Sequence, residues 1–186
     1  MFCLACGRSA VNLCPDCRRS LTPAPDRVAG DGLLVRSAWR HEGAARDLVH
    51  HFKYRGSDRA GWVLASALAP LVPEGVTIVP LPRPFWRTLR YGIDPAPDLA
   101  RRLRVLTGCS IAPILHPPLF SPRQAGRRRS ERIPPPARVG SHPGAEEVFL
   151  LDDVITTGST LAGAQAALES CGVRVRCALT ATARGD

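Results

Sequence analysis

The stretch that most constrains this chain runs from Val148 to Thr160 and reads VFLLDDVITTGST. Val148 to Leu151 are apolar in unbroken succession, the pattern of a strand buried on both faces and therefore of the interior of a parallel sheet. Two carboxylates, Asp152 and Asp153, follow at the C-terminal end of that strand, the edge at which open α/β sheets bind their ligands. Thr156, Thr157, Gly158, Ser159 and Thr160 then lead into an Ala-rich helix, Thr160 to Glu169, that Gly172 stops. Hydroxyls and backbone N–H groups at a helix N-terminus make an anion site, and glycine at 158 lets the backbone approach a phosphate closely. The hydroxyl-rich half wants a phosphate. The acidic half repels one and wants hydrogen-bond donors or a cation. A sugar phosphate with free ring hydroxyls satisfies both, with Mg2+ bridging to further phosphates. The competing structural reading is an acidic N-cap and a turn before an Ala-rich helix.

The rest of the chain supplies the sheet around that strand. Leu33 to Trp39, Val76 to Val79, Ile111 to Leu115 and Val173 to Leu179 read as strands. Ala45, Leu48, Val49 and Phe52 have helical spacing within Gly43 to Phe52. A second helix passes through Trp62, Leu64, Ala65 and Leu68, with Asp58 expected as its cap. Asp98 to Leu106 reads as a helix with an Arg-rich face. Strands alternating with helices predict an α/β domain with a mainly parallel sheet flanked by helices. Residues 116 to 145 are rich in proline, glycine and arginine without periodicity and read as a long loop. Neither a Walker phosphate loop nor the glycine fingerprint of dinucleotide sites is present.

A separate chemistry opens the chain. Cys3 and Cys6, then Cys14 and Cys17, form two pairs with two-residue gaps. Such pairs let two thiolates reach one ion, and two pairs complete the tetrahedral sulfur set that suits a structural Zn2+. Two disulfides or free thiols are the other reading. Residues 1–20 are too short to build a core and are expected to form a zinc ribbon, followed by a proline-containing linker over 21–27 and the main domain over 28–186. Cys109, Cys171 and Cys177 have no partner spacing and are read as small buried hydrophobes in a reducing compartment. The segment from Met1 to Arg8 lacks the apolar run of a signal peptide, and no stretch of about 18 apolar residues exists. A cytoplasmic protein with no membrane insertion is expected.

At these residues a resemblance becomes plain. VFLLDDVITTGST resembles the signature of type I phosphoribosyltransferases, and joined to an N-terminal four-cysteine ribbon it is similar to the ComF/GntX family. The resemblance implies that Asp152 and Asp153 contact ribose hydroxyls and that Thr156 to Thr160 bind the 5′-phosphate of phosphoribosyl pyrophosphate, with Mg2+. Lys53-Tyr54-Arg55-Gly56 resembles the family's Lys-Tyr-x-Gly segment, and Val79 to Arg83 its Pro-x-Pro segment, which implies a pyrophosphate loop. Lys53 and Arg83 thereby join the candidate substrate-binding residues. Gln124 and Arg132 match the family's mobile segment, which also contains Arg127, Arg128 and Arg129. The family's Arg-Gly-Phe-Asn-Gln stretch reads Tyr91-Gly92-Ile93-Asp94-Pro95 here, and Pro134 to Pro136 stand where an Asn is expected after Arg132. These departures leave the phosphate half of the pattern intact and fall on the acceptor half.

The formal net charge is +9, from 25 basic and 16 acidic residues, and about +7 once four zinc-bound thiolates are counted. A basic surface suits polyanions, small or nucleic. Arg83, Arg87 and Arg90, interleaved with Phe85, Trp86 and Tyr91, form one cluster, and Arg123, Arg127, Arg128, Arg129 and Arg132 another. They either close over a pyrophosphate, track a nucleic-acid backbone, or form a solvated basic run. Two functions from different classes follow. One is an enzyme transferring the phosphoribosyl group to an acceptor. The other is a non-catalytic accessory of DNA uptake that binds phosphoribosyl pyrophosphate or single-stranded DNA and works with other DNA-uptake proteins, as the family's association implies.

Overall fold

The structure is a computed structural model, and it describes residues 1–83, 89, 92–116, 138–140 and 144–185. The elements are α1 (Pro15–Arg19), β1 (Arg27–Ala29), β2 (Leu33–Arg40), α2 (Gly43–Arg55), α3 (Asp58–Leu68), β3 (Thr77–Pro80), α4 (Pro95–Thr107), β4 (Ser110–Ile111), β5 (Leu115–His116), β6 (Arg138–Val139), β7 (Glu147–Ile155), α5 (Ser159–Glu169) and β8 (Arg174–Ala183). A six-stranded sheet has the order β1-β2-β8-β7-β3-β4. Every neighbouring pair is parallel except β1 with β2. β5 and β6 form a separate antiparallel pair. The fold class expected from the alternation of strands and helices is the one observed. No helix among the described residues is long and apolar enough to cross a membrane.

Each helix is specified locally. Leu48, Val49 and Phe52 are buried along one side of α2, which ends at Gly56 in the left-handed region (φ 58°). Ser57, not Asp58, caps α3: its Oγ accepts from the Ala60 N–H at 3.4 Å. Asp58 is the first helical residue instead, where a carboxylate favours the positive end of the helix dipole. α4 starts at Pro95, three residues before the expected Asp98, because proline's fixed φ suits a first helical position. The expected strand over Ile111 to Leu115 is two short pieces, β4 and β5, in different sheets.

Two apolar layers hold the sheet. On one face, Phe149, Leu151, Cys177 and Leu179 pack with Leu48 and Phe52 of α2, Leu64 and Leu68 of α3, and Leu99 and Leu103 of α4. On the other, Val148, Leu150, Val175 and Ala178 pack with Leu161, Ala164 and Leu168 of α5. Cys3, Leu4, Leu13 and Cys14 belong to the first layer, so the cysteine-bearing segment adds to that core. The chain over 21–27 lies along β2: Arg40 N–H donates to Thr22 C=O at 2.8 Å, and Pro23 bridges to Trp39. Cys109 and Cys177 are buried as expected, but Cys171 is exposed, because it follows the last turn of α5 rather than facing the sheet.

Strand order also sets where a ligand can sit. From β3 the chain passes through α4 to β4, toward one edge of the sheet. From β7 it passes through α5 to β8, in the opposite direction. The β3/β7 boundary is therefore the switch point at which open α/β sheets form a crevice outside the strand ends.

Candidate functional site

At this switch point β3 stops before β7 does. β3 pairs with β7 only through Pro80 opposite Leu151, and Leu81 N–H makes a last bond to Leu151 C=O at 2.9 Å. β7 runs on to Ile155, paired with β8 alone. Asp152 and Asp153 are the first two residues past the end of β3, inside a strand longer than its apolar run predicts. A continuing parallel ladder would give the Asp153 N–H a carbonyl on the β3 side. Here the Asp152 Oδ1 accepts that N–H at 2.8 Å.

Charges from two other elements converge on Asp153. Lys53 Nζ, from the last turn of α2, lies 2.8 Å from Oδ1, and Arg83 Nη2, just after β3, lies 3.8 Å from Oδ2. The three side chains are 17%, 13% and 5% exposed for Lys53, Arg83 and Asp153, so the cluster is largely withdrawn from water. Asp153 Oδ2 and Arg83 Nη1 are buried without a hydrogen-bond partner. Burial, reinforced by the charge of Asp153 and opposed by Lys53, pushes the Asp152 carboxyl up to about 8. Asp152 is thus the carboxyl of the pair that its surroundings hold toward the neutral form.

Asp94 completes this arrangement, and the sequence reading does not single it out as a site residue. Its carboxylate accepts the Arg83 backbone N–H at 3.2 and 3.3 Å, fixing the segment after β3. Burial pushes Asp94 up to about 6, against the pull of Arg83. The available signal is its place immediately before Pro95, where an N-cap is expected. Its side chain turns back to the β3 loop and makes no cap bond to α4.

The hydroxyl-rich loop follows Ile155 directly. Thr156, Thr157, Ser159 and Thr160 are exposed, and Gly158 is the N-cap of α5 with φ 76°. Thr157 Oγ1 lies 3.1 Å from Ser159 Oγ. Gly158 offers no side chain to cap the helix, so an anion can take that role. A Cβ at Gly158 would stand 2.6 Å from Ala29 Cβ, and a Cβ at Gly30 would stand 2.6 Å from Ala162 Cβ. β1 therefore presses against the loop and the helix it starts. Arg27 reinforces the contact by donating to Thr156 C=O at 3.1 Å and to Arg184 C=O at 2.9 Å.

The four cysteines of the first 17 residues come together as their spacing predicts, with their Sγ atoms all within 4.8 Å of one another. Tetrahedral Zn2+ with Zn–S near 2.3 Å sets sulfurs about 3.8 Å apart, and Cys6 and Cys14 already stand at 3.6 Å. The donor set and its size fit one such ion. Burial, then the neighbouring sulfurs, push the Cys17 thiol up to about 12, whereas the Cys17 backbone N–H lowers Cys14. Asp16 ties the turns together by accepting Arg8 at 2.9 Å and Arg19 at 2.6 Å.

Lys53, Arg83, Asp152 and Asp153 are thus brought to one sheet edge, and Thr156 to Thr160 continue from it. Gln124, Arg127, Arg128, Arg129 and Arg132 lie outside the described residues, as do Arg87, Arg90, Arg123, Phe85, Trp86 and Tyr91. A cavity of about 350 Å³ is lined by none of the edge residues; Leu13, Arg18, Trp39 and Trp62 are among its walls.

No protein-family model matches the chain, and no curated protein matches it. Among solved structures it is similar to the orotate phosphoribosyltransferase from Aeropyrum pernix, with 21% identity over 88% of this chain and 75% of that one, at a TM-score of 0.39.

Proposed function

We propose that the chain binds phosphoribosyl pyrophosphate with Mg2+ at the β3/β7 crevice and transfers the phosphoribosyl group to an acceptor. The observation that carries the reading is the convergence of Lys53 and Arg83 on Asp153 at a strand end that runs straight into a hydroxyl-rich helix N-terminus. In this reading Asp152 and Asp153 recognise the ribose hydroxyls, and Thr156 to Thr160 hold the 5′-phosphate on their hydroxyls and the α5 N–H groups. Lys53 and Arg83 face the pyrophosphate. Mg2+, when bound, supplies further positive charge to the departing pyrophosphate. Departure leaves a cation-like sugar, and the chain's part is to position it and exclude water rather than to move a proton. Cys3, Cys6, Cys14 and Cys17 hold a structural Zn2+ that leaves no open coordination position.

Calorimetry with phosphoribosyl pyrophosphate and Mg2+ tests the binding half. The Asp152→Asn/Asp153→Asn protein should lose about 1.5–3 kcal/mol per charge-assisted hydrogen bond, with circular dichroism confirming that it folds. Unchanged affinity in a folded double variant refutes the assignment. Pyrophosphate release with a panel of nucleobases tests transfer. Binding without release from any acceptor supports the accessory role in DNA uptake over the enzyme.

A further inference from the structure

Both oxygens of Asp153 are faced by cations. Lys53 Nζ holds Oδ1 at 2.8 Å, and Arg83 Nη2 stands 3.8 Å from Oδ2. Oδ1 is taken by Lys53, and Oδ2, though unbonded, is buried beside Arg83, so neither oxygen is exposed to a ribose hydroxyl in this arrangement. The two grips differ. The lysine contact is a close ion pair, while the arginine is beyond hydrogen-bond reach of Oδ2 and keeps Nη1 buried without a partner. A buried donor left unbonded is costly, and a guanidinium with a free N–H is ready to bind an anion's oxygen.

We propose that Lys53 is a specificity-determining residue: its ion pair closes Asp153 to sugar phosphates that lack pyrophosphate, and a pyrophosphate group opens Asp153 by drawing Lys53 and Arg83 onto itself. This rests on the ligand reading given above and adds a selection rule to it. Two cations flank one buried carboxylate, and Arg83 Nη1 has no partner, so an anion's oxygens meet a need that a neutral hydroxyl does not. Lys53 sits in the last turn of α2 on a flexible four-carbon stem, and its ammonium can change partner without backbone movement. A ribose 5-phosphate must instead break the Lys53–Asp153 pair with hydroxyls alone. Removing one member of a buried pair without replacing it is strongly unfavourable. Phosphate and ribose recognition are thereby coupled, and coupling between two ligands is reciprocal.

The test is calorimetry of the full chain with Mg2+ in every arm. Phosphoribosyl pyrophosphate is titrated first; if it does not bind the unaltered protein, the ligand reading itself fails and this inference falls with it. Ribose 5-phosphate is then titrated with and without saturating inorganic pyrophosphate. Pyrophosphate should tighten ribose 5-phosphate at least about tenfold, a coupling of about 1.4 kcal/mol. Lys53→Met should bind ribose 5-phosphate at least about tenfold more tightly than the unaltered protein without pyrophosphate, and pyrophosphate should then add little. Phosphoribosyl pyrophosphate that binds well, together with ribose 5-phosphate indifferent to pyrophosphate in the unaltered protein, overturns the proposal and leaves the ligand reading standing. So does a folded Lys53→Met protein with no gain. If Lys53→Met does not fold, the pyrophosphate arm on the unaltered protein decides alone.

Discussion

Replacing Gly158 with alanine should destabilise the protein through two separable effects. Gly158 has φ 76°, where an L side chain costs roughly 1–2 kcal/mol. The new Cβ would also stand 2.6 Å from Ala29 Cβ, against a comfortable carbon–carbon separation of about 3.5–4.0 Å. Loop and strand must therefore part by about 1 Å, and overpacking of this kind costs roughly 1–3 kcal/mol. The stiffer unfolded chain returns about 0.4–1 kcal/mol, for a net loss of about 2–4 kcal/mol. At about 2–4 °C per kcal/mol for a chain of this size, Tm should fall by roughly 5–15 °C. Urea unfolding followed by circular dichroism measures the loss, and Ala29→Gly closes a double-mutant cycle. The coupling energy should equal the clash, about 1–3 kcal/mol, while the φ cost persists in the double variant. Gly163 is the control: it lies in the same helix, and a Cβ there would meet nothing within 4 Å. Gly163→Ala should stabilise by up to about 1 kcal/mol. A Gly158→Ala cost below about 1 kcal/mol, or a coupling near zero, refutes the close approach of β1 to the loop.

Two further outcomes are expected. Protein purified without added metal should contain one Zn2+ per chain by elemental analysis, and Cys14→Ser/Cys17→Ser should lose the metal and the tight packing of Leu4 and Leu13; a metal-free chain with unchanged stability contradicts this. The Asp152 carboxyl, raised to about 8 in the folded protein, contributes stability that is complete below the unfolded value near 3.9 and is lost as pH rises through about 8. Asp152→Asn lacks that loss, so its stability relative to the unaltered protein should rise between about pH 4 and 8 in urea titrations, and a flat difference refutes the shift.

The fold is legible in the sequence where a pattern is local. The unbroken run Val148 to Leu151 marks a central strand, and the cysteine spacing marks a cluster, because both depend on residues within a few positions of one another. Helix ends are less legible. Asp58 and Ser57 are both good capping residues, and only the backbone direction at Ser57 selects between them. β1 escapes because three residues carry no period, and its pairing with β2 arises through a tight turn. The site divides in the same way. Asp152, Asp153 and the hydroxyl loop stand together in sequence, whereas Lys53 and Arg83 reach Asp153 from 100 and 70 positions away (153 − 53 and 153 − 83), and only the family resemblance brings them to notice. Asp94 is hidden because its carboxylate does a loop's work from a cap's position.

The hydroxyl loop takes its shape from residues made long before it. Arg27 reaches Thr156 C=O across 129 positions and Arg184 C=O across 157. Contacts at that separation close large loops of chain, and their entropy has to be met before they stabilise anything. β1 is hydrogen-bonded into the sheet through β2, whose parallel neighbour is β8. The β1–β2 pairing itself closes through a tight turn, but its brace on the loop waits until β2 docks on β8. β1 is a three-residue strand at the sheet edge, which places its fraying among the earliest local openings. Hydrogen exchange at Val28 and Ala29 should then run ahead of exchange at Leu150 and Leu151, so that the loop loses its brace while the central strands remain folded.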